Sequence, residues 1–245
     1  MTGQPIPYLR RDRSPLNVVT LKSGDMFPSL DAAYAALAAE QARTPTRIGG
    51  WKIGGSNLAS SAAFGVDVPY YGAVEHSEIL FQPRIAPGYE LFELKGEVEI
   101  ALRLNADMTG YDAWCVALEM PSSPVQGLPE IGVIALVSDR CATGALVLGA
   151  IHEAPLPDLS TARFTQDING ERAADEGFDQ LIGSPDAILQ HFLGMARQHG
   201  AALAAGQWVA TGGITPCLPY QASNRVQVNL DGEPQLDITI DMGPL

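Results

Sequence analysis

Glu97-Val98-Glu99-Ile100-Ala101-Leu102-Arg103-Leu104 alternates between apolar and other side chains with a period of two. That period marks a strand. Val98, Ile100, Leu102 and Leu104 fall on one face, Glu97, Glu99, Ala101 and Arg103 on the other. Shortly after comes Trp114-Cys115-Val116-Ala117-Leu118-Glu119, an apolar run stopped by Met120-Pro121. It is short, carries a β-branched and an aromatic residue, and reads as a buried strand that ends in a carboxylate. These two segments set the expectation of a largely strand-built core.

Working outward, the pattern stays β-rich. Gly144 to Gly149 is a short apolar strand between glycines, and Phe164 to Ile168 runs into Asn169-Gly170, a strong hairpin signal. Trp208 to Thr211 is a strand ending in Gly212-Gly213, and Val226–Leu230 pairs with Leu236–Ile240 around Asp231-Gly232. Helices are expected from about Ser29 to Arg43, over Leu58 to Phe64, and for about 20 residues from Ser184, with Pro185 at the first helical position. Residues 1–28, with prolines at 5, 7, 15 and 28, read as an arm or early hairpin. The fold class is α+β. The expected organisation is an N-terminal arm and small helical and strand subdomain over 1–75, followed by a β-rich domain over 76–245, the two forming one continuous functional unit.

The 245 residues, 46% of them hydrophobic, suffice for a substantial core. The formal net charge is −13, which argues against nucleic acid and anionic membranes as partners. No apolar run approaches the ~20 residues of a membrane span. No apolar stretch follows the basic residues near Met1, so the expected location is cytoplasmic. Cys115, Cys141 and Cys217 are odd in number and widely spaced, against a disulfide framework or structural zinc site. The four histidines form no metal-binding pair, and no nucleophile elbow, P-loop or dinucleotide fingerprint is present.

What remains is a set of carboxylates and one lysine. Glu97 and Glu99 point the same way, about 7 Å apart, and repel unless solvated or bridged by a cation. From this spacing alone the solvated face is the stronger reading. Glu119 closes an apolar strand, where an unpaired charge costs several kcal/mol; an arginine partner or a shared cation answers this. Three converging carboxylates would form an oxygen-rich site suited to Mg²⁺ or Mn²⁺. Lys52, between Trp51 and Ile53 and flanked by glycines, either reaches solvent or serves as an acid or base.

The order of motifs resembles the 2-keto-4-pentenoate hydratase and 4-oxalocrotonate decarboxylase group of the fumarylacetoacetate hydrolase superfamily. The matching segments are Ser29 to Tyr34, Gly50-Trp51-Lys52-Ile53-Gly54, Gly65 to Pro69, a loop at Tyr71-Gly72, Glu97 to Ala101, Ala117-Leu118-Glu119, Val147-Leu148-Gly149, Gly183-Ser184-Pro185 and Gly206 to Gly212. The resemblance implies a mixed β-roll with a smaller N-terminal part. It also implies a homo-oligomer, a place in aromatic catabolism, and one Mg²⁺ or Mn²⁺ on Glu97, Glu99 and Glu119 that chelates a small 2-keto acid. Lys52 and Asp139 would be catalytic, and Lys52, Arg140, Thr211 and Gly212 would contact substrate. The implied reaction is hydration of a 2-hydroxy-2,4-dienoate or 2-keto-4-enoate. The alternatives are a decarboxylase, C–C hydrolase or tautomerase on the same metal, or a non-catalytic binding protein that kept the fold. Three positions depart from the family pattern. Met120 to Pro124 replaces an acidic and arginine-bearing segment, Tyr70 stands where relatives often carry an acid, and Arg140 follows Asp139. Arg140 would receive a second carboxylate or be a surface charge.

Overall fold

Three serine or asparagine caps start the main helices. Ser29 Oγ accepts from Ala32 N at 3.2 Å, Asn57 Oδ1 from Ser60 N at 2.7 Å, and Ser184 Oγ from Ala187 N at 3.2 Å. Each satisfies an amide that the first turn would otherwise leave without a partner. The structure is a computed structural model that describes residues 18–21, 25–83, 85–87 and 91–241. The arm expected over 1–28 lies largely outside the described residues. In chain order the elements are α1 (Leu30–Gln41), β1 (Ile48–Gly54), α2 (Leu58–Phe64), β2 (Tyr70–Glu75), β3 (Ile79–Phe81), β4 (Ile85–Pro87), β5 (Lys95–Leu104) and β6 (Tyr111–Met120). They continue with α3 (Leu128–Ile131), α4 (Val133–Ser138), β7 (Ala145–Leu148), β8 (Phe164–Ile168), β9 (Glu171–Glu176), α5 (Pro185–Gln198), β10 (Trp208–Ala210), β11 (Leu218–Pro219), β12 (Arg225–Leu230) and β13 (Glu233–Asp241).

The strands form two sheets. The larger has the order β2-β1-β10-β5-β6-β7-β3, with β11 also on β5; the smaller runs β4-β13-β12-β8-β9. Parallel pairs, β1 with β10 and β3 with β7, sit among antiparallel ones. This is the α+β, mixed β-roll architecture expected from the sequence. Strands from both sides of residue 75 share the larger sheet. The turns follow from their residues. Asn169-Gly170 and Asp231-Gly232 all have positive φ, as a two-residue hairpin turn of matching twist requires.

The larger sheet is covered on both faces. On one face Trp51 is fully buried, its Nε1 donating to Gln207 Oε1 at 2.8 Å, and its ring meets Tyr71 and Phe192 of α5. A tryptophan buried this completely contributes up to about 5 kcal/mol. On the other face lies a second apolar cluster that includes Ala101, Cys115, Ala117, Trp208 and Ala210. Apart from Trp208, the residues that β5, β6 and β10 contribute to it are small: Ala101, Ala113, Cys115, Ala117 and Ala210. This face holds the site.

Two segments differ from the sequence reading. Tyr71-Gly72, read as part of a loop, lies inside strand β2 and pairs with Lys52 and Ile53. The sequence reading also gave no helix between Leu128 and Ser138, where α3 and α4 lie. Both helices are short, and Gly132 between them breaks any run long enough to show a helical period.

Candidate metal centre

Register decides which side chains meet. Glu97 pairs directly with Glu119 across β5 and β6, and Glu99 pairs with Ala117 one step along the same face. Across the sheet, Lys52 pairs with Ala210, which pairs with Ala101. Directly paired residues share a face, so three glutamates and a lysine project from one side of the sheet. One carboxylate oxygen from each of Glu97, Glu99 and Glu119 lies within 4.8 Å of the others. Glu99 is 1% and Glu119 3% exposed, so neither faces water. Lys52 Nζ lies 2.5 Å from Glu119 Oε1 and is itself buried.

The electrostatics are those of a crowded acidic cluster. Burial first, then the neighbouring Glu119 charge, lifts the Glu97 carboxyl to about 8, and Lys52 opposes this only in part. Burial, Glu119 and Glu97 together push Glu99 well above the carboxylate range. Burial pulls the Lys52 ammonium down, but the attraction of Glu119, Cys141 and Glu97 outweighs it and leaves the net shift upward.

The cradle around the carboxylates is tight. Gly212 N donates to Glu99 Oε2 at 2.8 Å, while Glu99 Oε1 accepts no hydrogen bond from the protein. Gly212 has φ 115°, open to glycine, and a Cβ there would strike Ser56 Oγ at 1.9 Å. A Cβ on Gly213 would lie 2.2 Å from Glu97 Oε2. A hard, oxygen-only donor set of this kind fits a divalent cation such as Mg²⁺, Mn²⁺ or Ca²⁺ and disfavours softer metals. The orphaned Glu99 oxygen and the mutual repulsion of the cluster are both relieved by positive charge placed among them.

The cluster opens into a cavity of about 810 Å³. Lys52, Glu97 and Glu119 line it, with Tyr70, Cys141, Gly213 and Cys217 nearby. Of these, Tyr70 stands in the sequence only as a departure from the family pattern, and Cys141 and Cys217 only as widely spaced cysteines. Lys95 also lines the cavity, and its signal was the same period of two that joins Glu97 to Glu99.

The other expected site residues are not brought to the cavity wall. Thr211 is buried, with Oγ1 donating to Ile100 O at 3.0 Å, and its carbonyl accepts from Ser56 Oγ at 2.9 Å. Gly212 holds Glu99 from behind. Asp139 is fully buried where α4 ends. Arg140 is neither a surface charge nor a cavity group. It is buried, with Nη2 2.7 Å from Glu78 Oε1 and Nη1 3.1 Å from Glu78 Oε2. Arg140, Cys141 and Ala142 all have positive φ, from 50° to 57°, and this left-handed turn packs on Gly72, where a Cβ would meet Arg140 O at 2.1 Å. Such a turn costs roughly 1–2 kcal/mol per residue, offset in part by the guanidinium clamp.

No family model matches the chain. In sequence it is 26% identical over 199 residues to 2-keto-4-pentenoate hydratase 1 of Dechloromonas aromatica (strain RCB), spanning 76% of this chain and 75% of that one. In structure it is similar to the 4-oxalocrotonate decarboxylase of Pseudomonas putida G7 complexed with magnesium and adipate. There the TM-score is 0.79 at 21% identity, over 95% of this chain and 96% of that one. It is also similar to fumarylpyruvate hydrolase of Pseudomonas aeruginosa in complex with Mn²⁺ and pyruvate, with a TM-score of 0.60 at 16% identity over 78% of this chain and 88% of that one. The fold is also that of a fumarylacetoacetate hydrolase family protein from Yersinia pestis CO92, with a TM-score of 0.56 at 17% identity over 78% of this chain and 91% of that one. In sequence the chain is similar to proteins named 2-keto-4-pentenoate hydratase and 4-oxalocrotonate decarboxylase, at 22–27% identity.

Proposed function

We propose that the chain is a lyase that hydrates a 2-hydroxy-2,4-dienoate or 2-keto-4-enoate acid, with Mg²⁺ or Mn²⁺ held by Glu97, Glu99 and Glu119. The observation that carries this reading is the convergence of the three carboxylates beside a buried lysine in a cavity open to small molecules. The hydratase relatives support the reaction type.

A divalent cation bound there supplies Lewis acidity toward the carboxylate and 2-oxo oxygens of such an acid. The protein's own residues do the rest. Lys52 Nζ, held as the ammonium by Glu119, is positioned to give a proton to the substrate. Its burial keeps competing water from that transfer. Gly212 N fixes the orientation of Glu99, and Gly213, lacking a side chain, leaves Glu97 its place. Thr211 and Gly212 are positioning residues, not substrate contacts. Asp139 and Arg140 likewise act through the turn that presents Cys141 and Ala142 to the cavity.

The test is spectrophotometric. The protein with Mg²⁺ or Mn²⁺ is mixed with 2-hydroxypenta-2,4-dienoate, dienol absorbance is followed, and the product is weighed by mass spectrometry. Gain of one water is expected. Loss of CO₂ from a diacid substrate would instead assign the decarboxylase reaction, and no turnover of any 2-keto acid despite tight metal binding would leave a binding protein.

A further inference from the structure

Away from the acidic cluster, the cavity wall changes character. Met120 to Pro124 carries no charged residue, and Pro121, Pro124 and Pro129 line the cavity. With them stand Phe64, Val125, Leu128 and Leu136. This wall is preformed. Ser122 N donates to Ala142 O at 2.6 Å, and Ser122 Oγ accepts from Phe92 N at 2.7 Å. Val19 N donates to Pro124 O at 2.8 Å, and Gln126 N donates to Val19 O at 3.0 Å, so a neighbouring strip of chain clips the proline segment down.

The charges of the wall are already committed. Among the described residues, the cations lining the cavity are Lys52 and Lys95. Lys52 lies 2.5 Å from Glu119, and Lys95 Nζ lies 2.5 Å from Glu93 Oε2. Arg140, the residue available by sequence to receive a second carboxylate, is bound to Glu78 away from the cavity wall. Among the described residues, a second carboxylate in this cavity would therefore lose water without meeting an uncommitted cation, which disfavours its binding. The volume, about 810 Å³, is in the range that houses ligands much larger than a five-carbon acid.

We propose that the cavity takes a 2-oxo acid, or its enol, whose far end is an uncharged, apolar alkyl, alkenyl or aryl tail, and that it discriminates against dicarboxylates. This rests on the reading of the glutamate cluster as a 2-oxo acid site.

The experiment is calorimetric titration of the full chain in Mg²⁺ with pyruvate, 2-oxohexanoate, 2-oxooctanoate and 2-oxoadipate. Affinity is expected to rise with tail length, up to roughly fourfold per methylene. The dicarboxylate 2-oxoadipate should bind at least tenfold more weakly than 2-oxohexanoate. Ala63→Arg adds a cation at an exposed residue of the cavity wall, and should narrow that gap at least tenfold. Equal or tighter binding of 2-oxoadipate by the unmodified protein, or affinity indifferent to tail length while pyruvate binds, overturns the proposal. So does an unchanged gap in Ala63→Arg, since a missing counter-charge is then not the cause of selection. Failure of pyruvate itself to bind overturns the underlying 2-oxo acid reading, and is distinguishable from these results.

Discussion

Glu97 and Glu119 are direct register partners in the antiparallel pair β5–β6, so the ladder itself sets two carboxylates side by side. Like charges so placed destabilise a sheet. Without metal the protein relieves this by keeping a proton: burial and Glu119 raise Glu97 from its ordinary 4.5 to about 8. Between those values the folded chain holds a proton that the unfolded chain has released, so stability falls as pH rises through that window. Chelator-treated protein should lose Tm steadily from about pH 5 to about pH 8. The stabilisation given by Mg²⁺ should grow over the same interval, and Glu97→Gln should flatten the chelator-treated profile. A wild-type Tm that climbs across this range without metal would contradict the assignment.

Glu119→Gln removes a charge from the cluster. Mg²⁺ at a hundred times its Kd should raise the wild-type Tm by about 5–10 °C. In Glu119→Gln or Glu99→Gln that rise should vanish, as read by differential scanning fluorimetry. A variant that keeps the full rise is not missing a metal ligand.

Lys52→Met separates binding from chemistry. The Mg²⁺-induced rise in Tm should persist, because the three carboxylates remain. Turnover should fall by about 10²–10⁴-fold, the usual contribution of a positioned acid or base. A wild-type rate in this variant excludes Lys52 from proton transfer.

Gly213→Ala tests the cradle. The added methyl falls 2.2 Å from Glu97 Oε2, so the carboxylate must move. Metal affinity by titration calorimetry should drop at least tenfold with little change in the metal-free Tm. Unaltered affinity would show that Glu97 has room to spare.

Arg140→Leu strands a buried carboxylate on Glu78. It should cost about 3–5 kcal/mol, a fall in Tm of roughly 6–20 °C. The double variant with Glu78→Leu should recover most of the loss, as measured by thermal melts. If the single variant is as stable as wild type, the left-handed turn does not depend on this clamp.

Much of this architecture could be read from residue order, for reasons that differ by element. Hairpins at Asn169-Gly170 and Asp231-Gly232 were legible because positive φ at both turn residues leaves few alternatives to such pairs. Two helix starts were legible through Ser29 and Ser184, whereas the Asn57 cap of α2 came only with the structure. What alternation could not decide was which face of β5 is buried, because both are: Glu99 and Ala101 are as enclosed as Val98 and Ile100. A period of two separates faces without saying what covers each. The convergence of Glu119 on Glu97 was likewise a matter of strand register, which no spacing reveals. Arg140 was misplaced for another reason. Its direction is set by a left-handed turn without glycine, a conformation that residue type gives little hint of.

The pairing of β1 with β10 joins Lys52 to Ala210, near opposite ends of the chain. The three carboxylates stand on one hairpin, but the Gly212 amide that orients Glu99 and the backbone of Gly213 beside Glu97 follow β10, so the finished cage cannot exist before that late segment has docked. Cation binding is then a reward reserved for the finished topology. Added Mg²⁺ should leave the rate of refolding unchanged and slow the rate of opening, so that the ion guards the product of folding without guiding its course.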